Sequence, residues 1–462
     1  MNHLRVFALV PALFVAGGAC RAPTTSPART LDSCDPPPSH ATGSLRWYED
    51  QWEEAVACAE KLGRRVVIDL WAPWCHTCLS MQQTVLSEPS FGAWTERFVW
   101  VSLDTDRDLN AEVVKKYPPL AWPTFYVVEP SRGTIASRFV GGASKAQFEA
   151  FLEVGEAAAA PETVEALVAR AHAEEAEKRW SEAGRIYDQA LEVAPSDWPR
   201  RPDILVSRIR AHVRSESFAA GVAFARRFGT ETGLSASAAD FAYYALRSAQ
   251  GAPAEPSDEL LDGISAHVEA AVEAKDGAMS VDDRSDALRI LREIALHREQ
   301  SERARALAER QRALLDGVMK EASPEVVMTF NWPASEVYAF LGIPEALVPV
   351  VTANMEALPE EYDPPYRLAW LWLAAEQPDK AEPMAQRALG LAYGPRKGQV
   401  FRLLQRIERA QGDEAGLEAA LRGEIAHLES LPEGRASPKN LAQAREALAA
   451  MLEETPAPGS GE

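Results

Sequence analysis

Two cysteines stand three positions apart where a helical pattern begins, Cys75 and Cys78. Cysteines at i and i+3 of a helix start can close a small disulfide ring with little backbone movement, and the first sulfur lies near backbone N–H groups that lack partners. Those groups and the positive end of the helix dipole favour thiolate over thiol. The spacing therefore predicts Cys75 as a nucleophile in thiol–disulfide exchange and Cys78, one turn deeper, as the thiol that resolves the mixed disulfide.

His76 lies between the two cysteines, where a protonated imidazole would lower the pKa of the Cys75 thiol further. The remaining histidines are scattered over helical or extended segments and are predicted to be structural or solvent-facing. No Ser/His/Asp motif or glycine-rich phosphate loop accompanies them. The sequence therefore favours redox chemistry over hydrolysis or nucleotide binding, and we expect no bound cofactor.

A zinc site uses the same cysteine spacing and is the main chemical alternative. A closed zinc site needs about four ligands. The chain has no second C-x-x-C and no H-x-x-x-H, and Cys34 and Cys58 are poorly spaced to complete such a site. We therefore predict no metal.

The pattern of apolar residues around the cysteines predicts alternating strands and helices. An apolar run of strand length with one carboxylate inside it, residues 65–71, leads into the cysteine helix, as a buried central strand would. The predicted elements are a helix at 47–62, strands at 65–71, 98–103, 122–128 and 135–140, and helices at 75–85, 111–117 and 144–152. This order implies an α/β domain with a mixed sheet and helices on both faces.

Beyond about residue 157 the strand pattern stops and the chain is rich in Ala, Leu and Glu at helical spacing. Residues 163–195 resemble a tetratricopeptide repeat, in which small and aromatic positions let paired helices interlock. The residues that carry this likeness are Leu167, Ala171, Ala183, Tyr187, Ala190 and Pro195. Residues 366–394, with Ala381, Ala385 and Ala388, suggest a degenerate second copy, and residues 399–428 read as another helix pair around Gly412 and Asp413. We predict an all-α repeat domain over 160–455, with an irregular helical bundle as the alternative.

The residues around the cysteines resemble the thioredoxin family. The motif Asp69-x-Trp-Ala-x-Trp74-Cys75-x-x-Cys78 follows an apolar strand, and the likeness covers about residues 45–154. It implies the thioredoxin fold, with Pro123 at the position of the cis-proline that receives an extended substrate segment. Within the family, residues 79–91 are most similar to the C-terminal periplasmic domain of DsbD and related exported proteins.

The resemblance also implies roles for neighbouring residues. Asp69 matches a buried carboxylate; burial should raise its pKa, and it could relay a proton to or from Cys78 through water, or be purely structural. Trp74 and Trp122, with Trp71 mostly in the core, would form an apolar docking surface for a partner's disulfide region. Trp100 stands where many thioredoxins have a lysine near the Asp, and the His-Thr dipeptide matches neither reducing nor strongly oxidising relatives. These departures leave the direction of electron flow open, and we favour reduction of client disulfides.

Residues 1–19 have the pattern of an export signal, with Arg5 ahead of an apolar stretch that is too short to span a membrane. Residues 16–20 resemble a bacterial lipobox in which Cys20 is lipidated, although Gly17 departs from the pattern and ordinary cleavage stays an alternative. Residues 20–44 read as a Pro/Ser/Thr-rich tether and 456–462 as a disordered tail. We expect a periplasmic protein tethered to the outer membrane, or an exported soluble one without the lipid.

Two further cysteines, Cys34 in the tether and Cys58 on the first helix, could pair in an oxidising compartment. The alternative is a buried Cys58 thiol and a free Cys34. The net charge of −20 and the lack of a basic run argue against nucleic-acid binding.

The sequence thus predicts an envelope thiol–disulfide oxidoreductase. Its expected partners are exported proteins with disulfides, an upstream dithiol donor and an unidentified protein bound by the repeats, with membrane contact through the lipid alone. Clients restricted to cytochrome or copper-centre assembly would be a narrower version of the same chemistry. The alternative is a binding scaffold whose first domain is a structural or redox-sensing module.

Overall fold

A central strand buried on both faces organises the first domain of the structure, a computed structural model that describes residues 34–36, 43–157, 163–275 and 278–454. The described residues from Asp35 onward form one compact unit, so the first domain and the helices after it pack together. The predictions for the signal segment, Cys20, most of the tether and the C-terminal tail lie outside the described residues.

The first domain is a five-stranded mixed sheet with helices on both faces. The strand order is β1-β3-β2-β4-β5, in which β1, β3 and β2 are parallel and β4 and β5 are antiparallel. Its elements are β1 (Trp47–Glu49), α1 (Trp52–Leu62), β2 (Arg65–Trp71), α2 (His76–Gln83), β3 (Phe98–Asp104), α3 (Ala111–Lys116), β4 (Thr124–Glu129), β5 (Thr134–Val140) and α4 (Lys145–Glu156). The predicted fold class of this domain is confirmed.

One predicted element was wrong. Residues 47–49 were expected to begin the first helix, but they form the edge strand β1, which pairs in parallel with β3. The Trp47 ring packs edge-on against Trp100 of β3, with the ring centroids 5.2 Å apart. A short edge strand carries too few residues to show a strand period, so the helical pattern that begins at Trp52 dominates the sequence around it.

Fifteen α-helices follow among the described residues, so the predicted all-α second region is confirmed. They are α5 (Val164–Ala176), α6 (Trp180–Val193), α7 (Arg201–Arg214), α8 (Phe218–Phe228), α9 (Ala236–Gly251), α10 (Asp258–Glu273), α11 (Val281–His297), α12 (Ser301–Met319), α13 (Pro324–Phe340), α14 (Val348–Ala357), α15 (Asp363–Ala374), α16 (Pro378–Leu391), α17 (Lys397–Gln411), α18 (Glu414–Ser430) and α19 (Pro438–Glu454).

Five helix pairs share one turn geometry. Each pair is joined by a two- or three-residue loop that contains a residue with left-handed backbone, at Lys178, Glu216, Glu299, Glu376 and Gly412. The turns at Lys178, Glu376 and Gly412 lie in the three segments that the sequence predicted to form helix pairs. The small positions that carried the likeness, among them Ala171, Ala183 and Ala381, are fully buried between paired helices. A recurring turn and a recurring small-residue seam are the properties of a helical repeat.

A buried ion-pair network joins the sheet to the first helices of the repeat region. Arg138 of β5 pairs with Glu175 of α5, and Arg210 of α7 lies 3.3 Å from the same carboxylate. Burial alone would raise the pKa of Glu175, but Arg210 and Arg138 override it and hold that pKa below its ordinary value. Arg200 adds a hydrogen bond of 2.8 Å to the carbonyl oxygen of Arg138. The two regions are therefore connected by a fully desolvated polar joint.

Candidate functional site

Cys75 and Cys78 are joined by a disulfide at the start of α2, with their Cα atoms 5.2 Å apart. Cys75 is the N-cap residue of this helix, with an extended backbone, and its Sγ accepts a hydrogen bond of 3.0 Å from the backbone N–H of Cys78. The same N–H would stabilise a thiolate on Cys75 once the disulfide is reduced. Position and capping geometry thus give Cys75 the electrostatics of a nucleophile.

The loop that precedes β4 brings Pro123 and Trp122 to the dithiol. The Trp122–Pro123 peptide bond is cis. The Trp122 ring meets the Trp74 ring edge-on, with the centroids 5.1 Å apart, and its Nε1 donates a hydrogen bond of 2.8 Å to Thr105. Trp71, Trp74 and Trp122 pack against the cluster formed by Ala72, Cys75 and Cys78. The structure therefore brings together the residues that the sequence singled out.

Asp69 is buried in the middle of β2, with 2% of its surface exposed. Burial raises the pKa of this carboxyl to about 7, and a hydrogen bond from Gln82 offsets part of that rise. Its Oδ1 has no hydrogen-bond partner among the residues that the structure describes. A carboxyl with a pKa near neutrality can hold or release a proton at physiological pH, as a proton relay requires.

His76 forms an ion pair with a residue of the helical region. Its Nδ1 lies 2.8 Å from Oδ1 of Asp282, which is 1% exposed. Burial by itself would lower the pKa of His76, but the charges of Asp282 and Asp286 and the hydrogen bond to Asp282 raise it to about 9. The imidazole is therefore a cation at neutral pH, next in sequence to Cys75.

Residues 46–130 match the family model described as thioredoxin-like. This chain carries a thioredoxin-like domain. The match covers the dithiol, Asp69 and Pro123 together, so the motif and the geometry fall within one family unit. Comparison with curated protein sequences gave no match.

Three solved structures are similar to part of this chain at low TM-scores. BtubC from P. vanneervenii is 17% identical over 55% of this chain and 96% of its own, with a TM-score of 0.32. A tetratricopeptide repeat protein from Parabacteroides merdae is 10% identical over 63% and 98%, with a TM-score of 0.36. The C-terminal part of a TPR repeat-containing protein from Cytophaga hutchinsonii is 14% identical over 59% and 97%, with a TM-score of 0.31. The support for a helical repeat in this region therefore comes from its own helix pairs.

Two helices of the repeat region lie against α2 of the thioredoxin-like domain. Ser80 donates a hydrogen bond of 3.2 Å to Ser280, the N-cap residue of α11. Gln83 donates one of 2.9 Å to Thr329 of α13. Together with the His76–Asp282 pair, these contacts place α11 and α13 along the face of α2 that carries His76, Ser80 and Gln83.

This cover changes one expectation from the sequence. We expected the Cys75 sulfur to be reachable and its tryptophans to form an open docking surface for partners. In the structure Cys75 is 4% exposed and Cys78 is 2% exposed. Trp71, Trp74 and Trp122 pack against the pair. Two residues that lie 200 or more positions later in the chain, Asp282 and Arg396, contact His76 and Trp74 beside it.

The helical region also contacts Trp74, beside Cys75, and Asp104 at the end of β3. Trp74 donates a hydrogen bond of 2.7 Å from Nε1 to Asp106, and the guanidinium of Arg396 lies over the Trp74 ring, 4.6 Å from its centroid. Tyr393 donates a hydrogen bond of 2.6 Å to the buried Asp104. Burial and the charge of Asp104 raise the pKa of Asp106 to about 6, although Trp74 and Arg396 act against that rise.

Sequence reasoning missed Asp282, Arg396 and Tyr393 as members of this site. One local signal was present: Ser280 and Asp283 form a capping box at the start of α11, which marks residue 282 as lying in a first helical turn. Nothing in the sequence indicated that this turn would meet His76.

The other cysteines within the described residues are Cys34 and Cys58. Cys58 is buried on α1, and Cys34 and Cys58 are each disulfide-bonded; their pairing with each other stays a prediction. No group of three or more metal-ligating side chains occurs among the described residues. Within the same residues, no helix has the length and apolar character needed to cross a membrane.

Proposed function

We propose that this protein is a thiol–disulfide oxidoreductase of the bacterial cell envelope that works through Cys75 and Cys78. The observation that carries the proposal is the disulfide between these residues at the N-terminus of α2, packed against the tryptophan that precedes the cis-proline. The thioredoxin-like family match supports redox or disulfide chemistry in general.

In the proposed reaction the reduced Cys75 thiolate attacks one sulfur of a client disulfide and expels the other client sulfur as a thiolate. Cys78, deprotonated with Asp69 as the proton acceptor through water, then attacks Cys75 Sγ and releases the second client thiolate. Two electrons pass from the protein to the client, and the Cys75–Cys78 disulfide forms. An upstream thiol donor, expected from the sequence to be a dithiol, returns the pair to its reduced form.

Reduction of client disulfides is the proposed direction. The cation on His76 and the N-terminus of α2 both favour the thiolate of Cys75, which is the species that attacks a client disulfide. The export-signal pattern and the lipobox-like Cys20 support an envelope location, where exported proteins with disulfides would be the clients. The helical region would bind a protein partner or hold the redox domain near its clients.

A second candidate function is redox sensing, and the cover over the dithiol favours it. Both sulfurs are buried, and His76 next to Cys75 is ion-paired with α11. A change in the charge on Cys75 would then alter the electrostatic environment of the His76–Asp282 ion pair and so act on the helical region. In that case the dithiol would switch a binding surface and would not turn over clients.

An insulin-reduction assay with dithiothreitol as electron source separates the two functions. We expect the wild-type protein to accelerate reduction and Cys75→Ser to abolish the acceleration. A Cys34→Ser/Cys58→Ser double variant controls for loss of cysteines outside the pair and should keep the activity. If wild type and Cys75→Ser are equally inert while Cys75 and Cys78 still cycle between oxidised and reduced forms, the sensor function replaces the oxidoreductase.

A further inference from the structure

A cavity of about 590 Å³ lies beside the dithiol, between the thioredoxin-like domain and the helical region. Trp74 and Trp122 form part of its wall, and the same two rings pack against the cluster of Cys75 and Cys78. Cavities of this size hold small organic molecules in many proteins. The cavity therefore adjoins the residues that pack on the two sulfurs.

The cavity is cationic in a protein whose net charge is −20. Four basic and two acidic side chains line it: Lys115, Arg396, Arg402, Arg435, Asp106 and Glu433. Lys115 pairs with Glu433 and Arg402 with the buried Glu424, so Arg396 and Arg435 carry the excess positive charge. Both regions of the protein contribute basic residues, so the positive charge belongs to the assembled cavity. A concave surface with low-dielectric walls concentrates the field of such charges and raises the local concentration of anions.

Arg435 is a buried cation without a hydrogen-bonded partner among the described residues. Its side chain is 7% exposed, and none of its three guanidinium nitrogens makes a hydrogen bond. The nearest carboxylate oxygen, on Asp108, is 4.0 Å away. A buried guanidinium in this state is unfavourable, and an anionic ligand would offset the cost. Since no hydrogen bond holds the group, it can turn toward such a ligand without breaking one.

Arg396 is a second cation with no carboxylate in hydrogen-bonding distance among the described residues. Its guanidinium lies over Trp74 and donates a hydrogen bond of 2.6 Å to the neutral side chain of Gln399. Burial and the charge of Arg367 lower its pKa, as expected where positive charge is in excess. The cationic surplus is therefore located at the tryptophan that borders the dithiol.

We propose that this cavity binds a small aliphatic thiol that carries carboxylate groups, and that this thiol is the electron donor that reduces the Cys75–Cys78 disulfide. The inference rests on the proposed function, because it needs Cys75 and Cys78 to be a redox pair, and it names the donor class in place of the dithiol expected from the sequence. A small thiol enters the cavity with the helical region in place, and the basic side chains of the lining favour an anionic one.

The reaction balances with two molecules of the thiol. The first thiolate attacks Cys75 Sγ, which forms a mixed disulfide and releases the Cys78 thiolate. The second thiolate attacks the ligand sulfur of the mixed disulfide, which releases the Cys75 thiolate and leaves the ligand as its own disulfide. Two electrons move from the two thiols to the protein disulfide, and no other reactant is needed.

The test compares three monothiols of different charge as reductants of the oxidised full-length protein. Reduced glutathione is anionic, 2-mercaptoethanol is neutral and cysteamine is cationic. Rates are followed by acid quench and alkylation of Cys75 and Cys78, and each is divided by the rate of the same thiol with an oxidised peptide of residues 70–80, which removes differences in thiol pKa. We expect a normalised advantage of about tenfold or more for glutathione over 2-mercaptoethanol, with cysteamine slowest.

Three variants of residues that line the cavity and one control variant extend the test. Arg435→Gln and Lys115→Gln should each remove most of the glutathione advantage and leave the 2-mercaptoethanol rate unchanged, whereas Arg435→Lys should keep much of it. Arg305→Gln removes an exposed charge on α12 that does not line the cavity and should change neither rate. If Arg435→Gln fails to fold, Lys115→Gln still decides, because Lys115 is largely exposed.

Equal normalised rates for the three thiols, or variants that slow all of them alike, would overturn the anionic-donor inference and leave the proposed function standing. Tight glutathione binding that never reduces the disulfide would also overturn it and would make the cavity a site for a non-reacting anion. Failure of dithiothreitol to reduce the pair in the folded protein would instead refute the proposed function itself.

Discussion

His76 Nδ1 lies 2.8 Å from Asp282 Oδ1, which ties the dipeptide between the two cysteines to a helix 206 positions later in the chain. Both groups are largely buried, and the imidazole is protonated at neutral pH because Asp282 and Asp286 raise its pKa to about 9. The helical region therefore sets the charge beside Cys75, and it also holds the residue that lies between the two cysteines. The charge next to Cys75 thus depends on one ion pair between the two regions.

Removing the Asp282 carboxylate should make the Cys75–Cys78 disulfide harder to reduce. In Asp282→Asn the pKa of His76 falls, the positive charge beside the Cys75 thiolate is lost, and the reduced form is destabilised. We expect the reduction potential to become more negative by about 30 mV for each tenfold loss in stability of the reduced pair. Equilibration in redox buffers measures this shift. In the His76→Gln background, Asp282→Asn should have no further effect, and an equal shift there would show that the carboxylate acts by another route.

The same ion pair predicts a pH dependence of stability. The folded-state pKa of His76, about 9, is above its ordinary value of 6.5, so the stabilisation is complete below about pH 6.5 and is lost as the pH rises through about 9. The difference in unfolding free energy between wild type and His76→Gln should be on the order of 1 to 3 kcal/mol at pH 6 and should shrink by pH 10. Thermal or urea unfolding at several pH values measures it. A difference that grows with pH would contradict the assignment.

Asp69→Asn should stabilise the oxidised protein above neutral pH. The pKa of Asp69 is raised from an ordinary value near 3.8 to about 7, so the wild type loses stability as the pH rises from about 4 to 7, where the unfolded chain releases this proton first. We expect a gain on the order of 2 to 4 kcal/mol at pH 8 and little change at pH 4. If the carboxyl is also the proton acceptor for Cys78, the same variant should slow client reduction while it stabilises the fold. Loss of stability at pH 8 would show that the carboxylate is satisfied in the fold.

Gly394 offers a way to loosen the cover. It has a left-handed backbone with φ of 53°, and a methyl group added there would overlap the carbonyl oxygen of Asp106 beside Trp74. Gly394→Ala should therefore separate the helical region from this side of the dithiol and speed alkylation of Cys75 by iodoacetamide in the reduced protein several-fold. Gly390→Ala is the matched control, because a methyl group there meets nothing within 4 Å. Equal alkylation of both variants and wild type would show that access does not depend on this contact.

The buried network of Arg138, Glu175 and Arg210 should be the most sensitive point of the joint between the two regions. Glu175→Gln leaves two desolvated guanidinium groups without their shared carboxylate, and breaking a buried pair of this kind costs about 3 to 5 kcal/mol. Differential scanning calorimetry measures the change. Glu182→Gln, which breaks an exposed pair with Arg185, is the control and should not alter the transition. A small effect of Glu175→Gln would mean that the joint is held by apolar packing.

The sequence predicted those parts of the fold and site whose signals are local. The apolar run of β2, the cysteines at the start of α2 and the proline before β4 each lie within a few residues of the feature they define, and all were found in place. The small residues Ala171 of α5 and Ala183 of α6 lie on helices that are neighbours in the chain, so the paired helices could also be predicted.

What the sequence did not show is how the two regions meet. The contacts of His76 with Asp282, Trp74 with Arg396 and Asp104 with Tyr393 each join residues 200 or more positions apart. Such contacts depend on how successive helices stack on one another, which no local period encodes. No local pattern indicated the burial of the Cys75 sulfur either.

The most direct test of the central claim is a redox titration of the full-length protein, with alkylation and mass spectrometry of each cysteine at every potential. We expect Cys75 and Cys78 to change state together in one reversible two-electron transition, while Cys34 and Cys58 stay oxidised over that range. A pair that cannot be reduced reversibly in the folded protein, or two cysteines that react independently, would contradict the account.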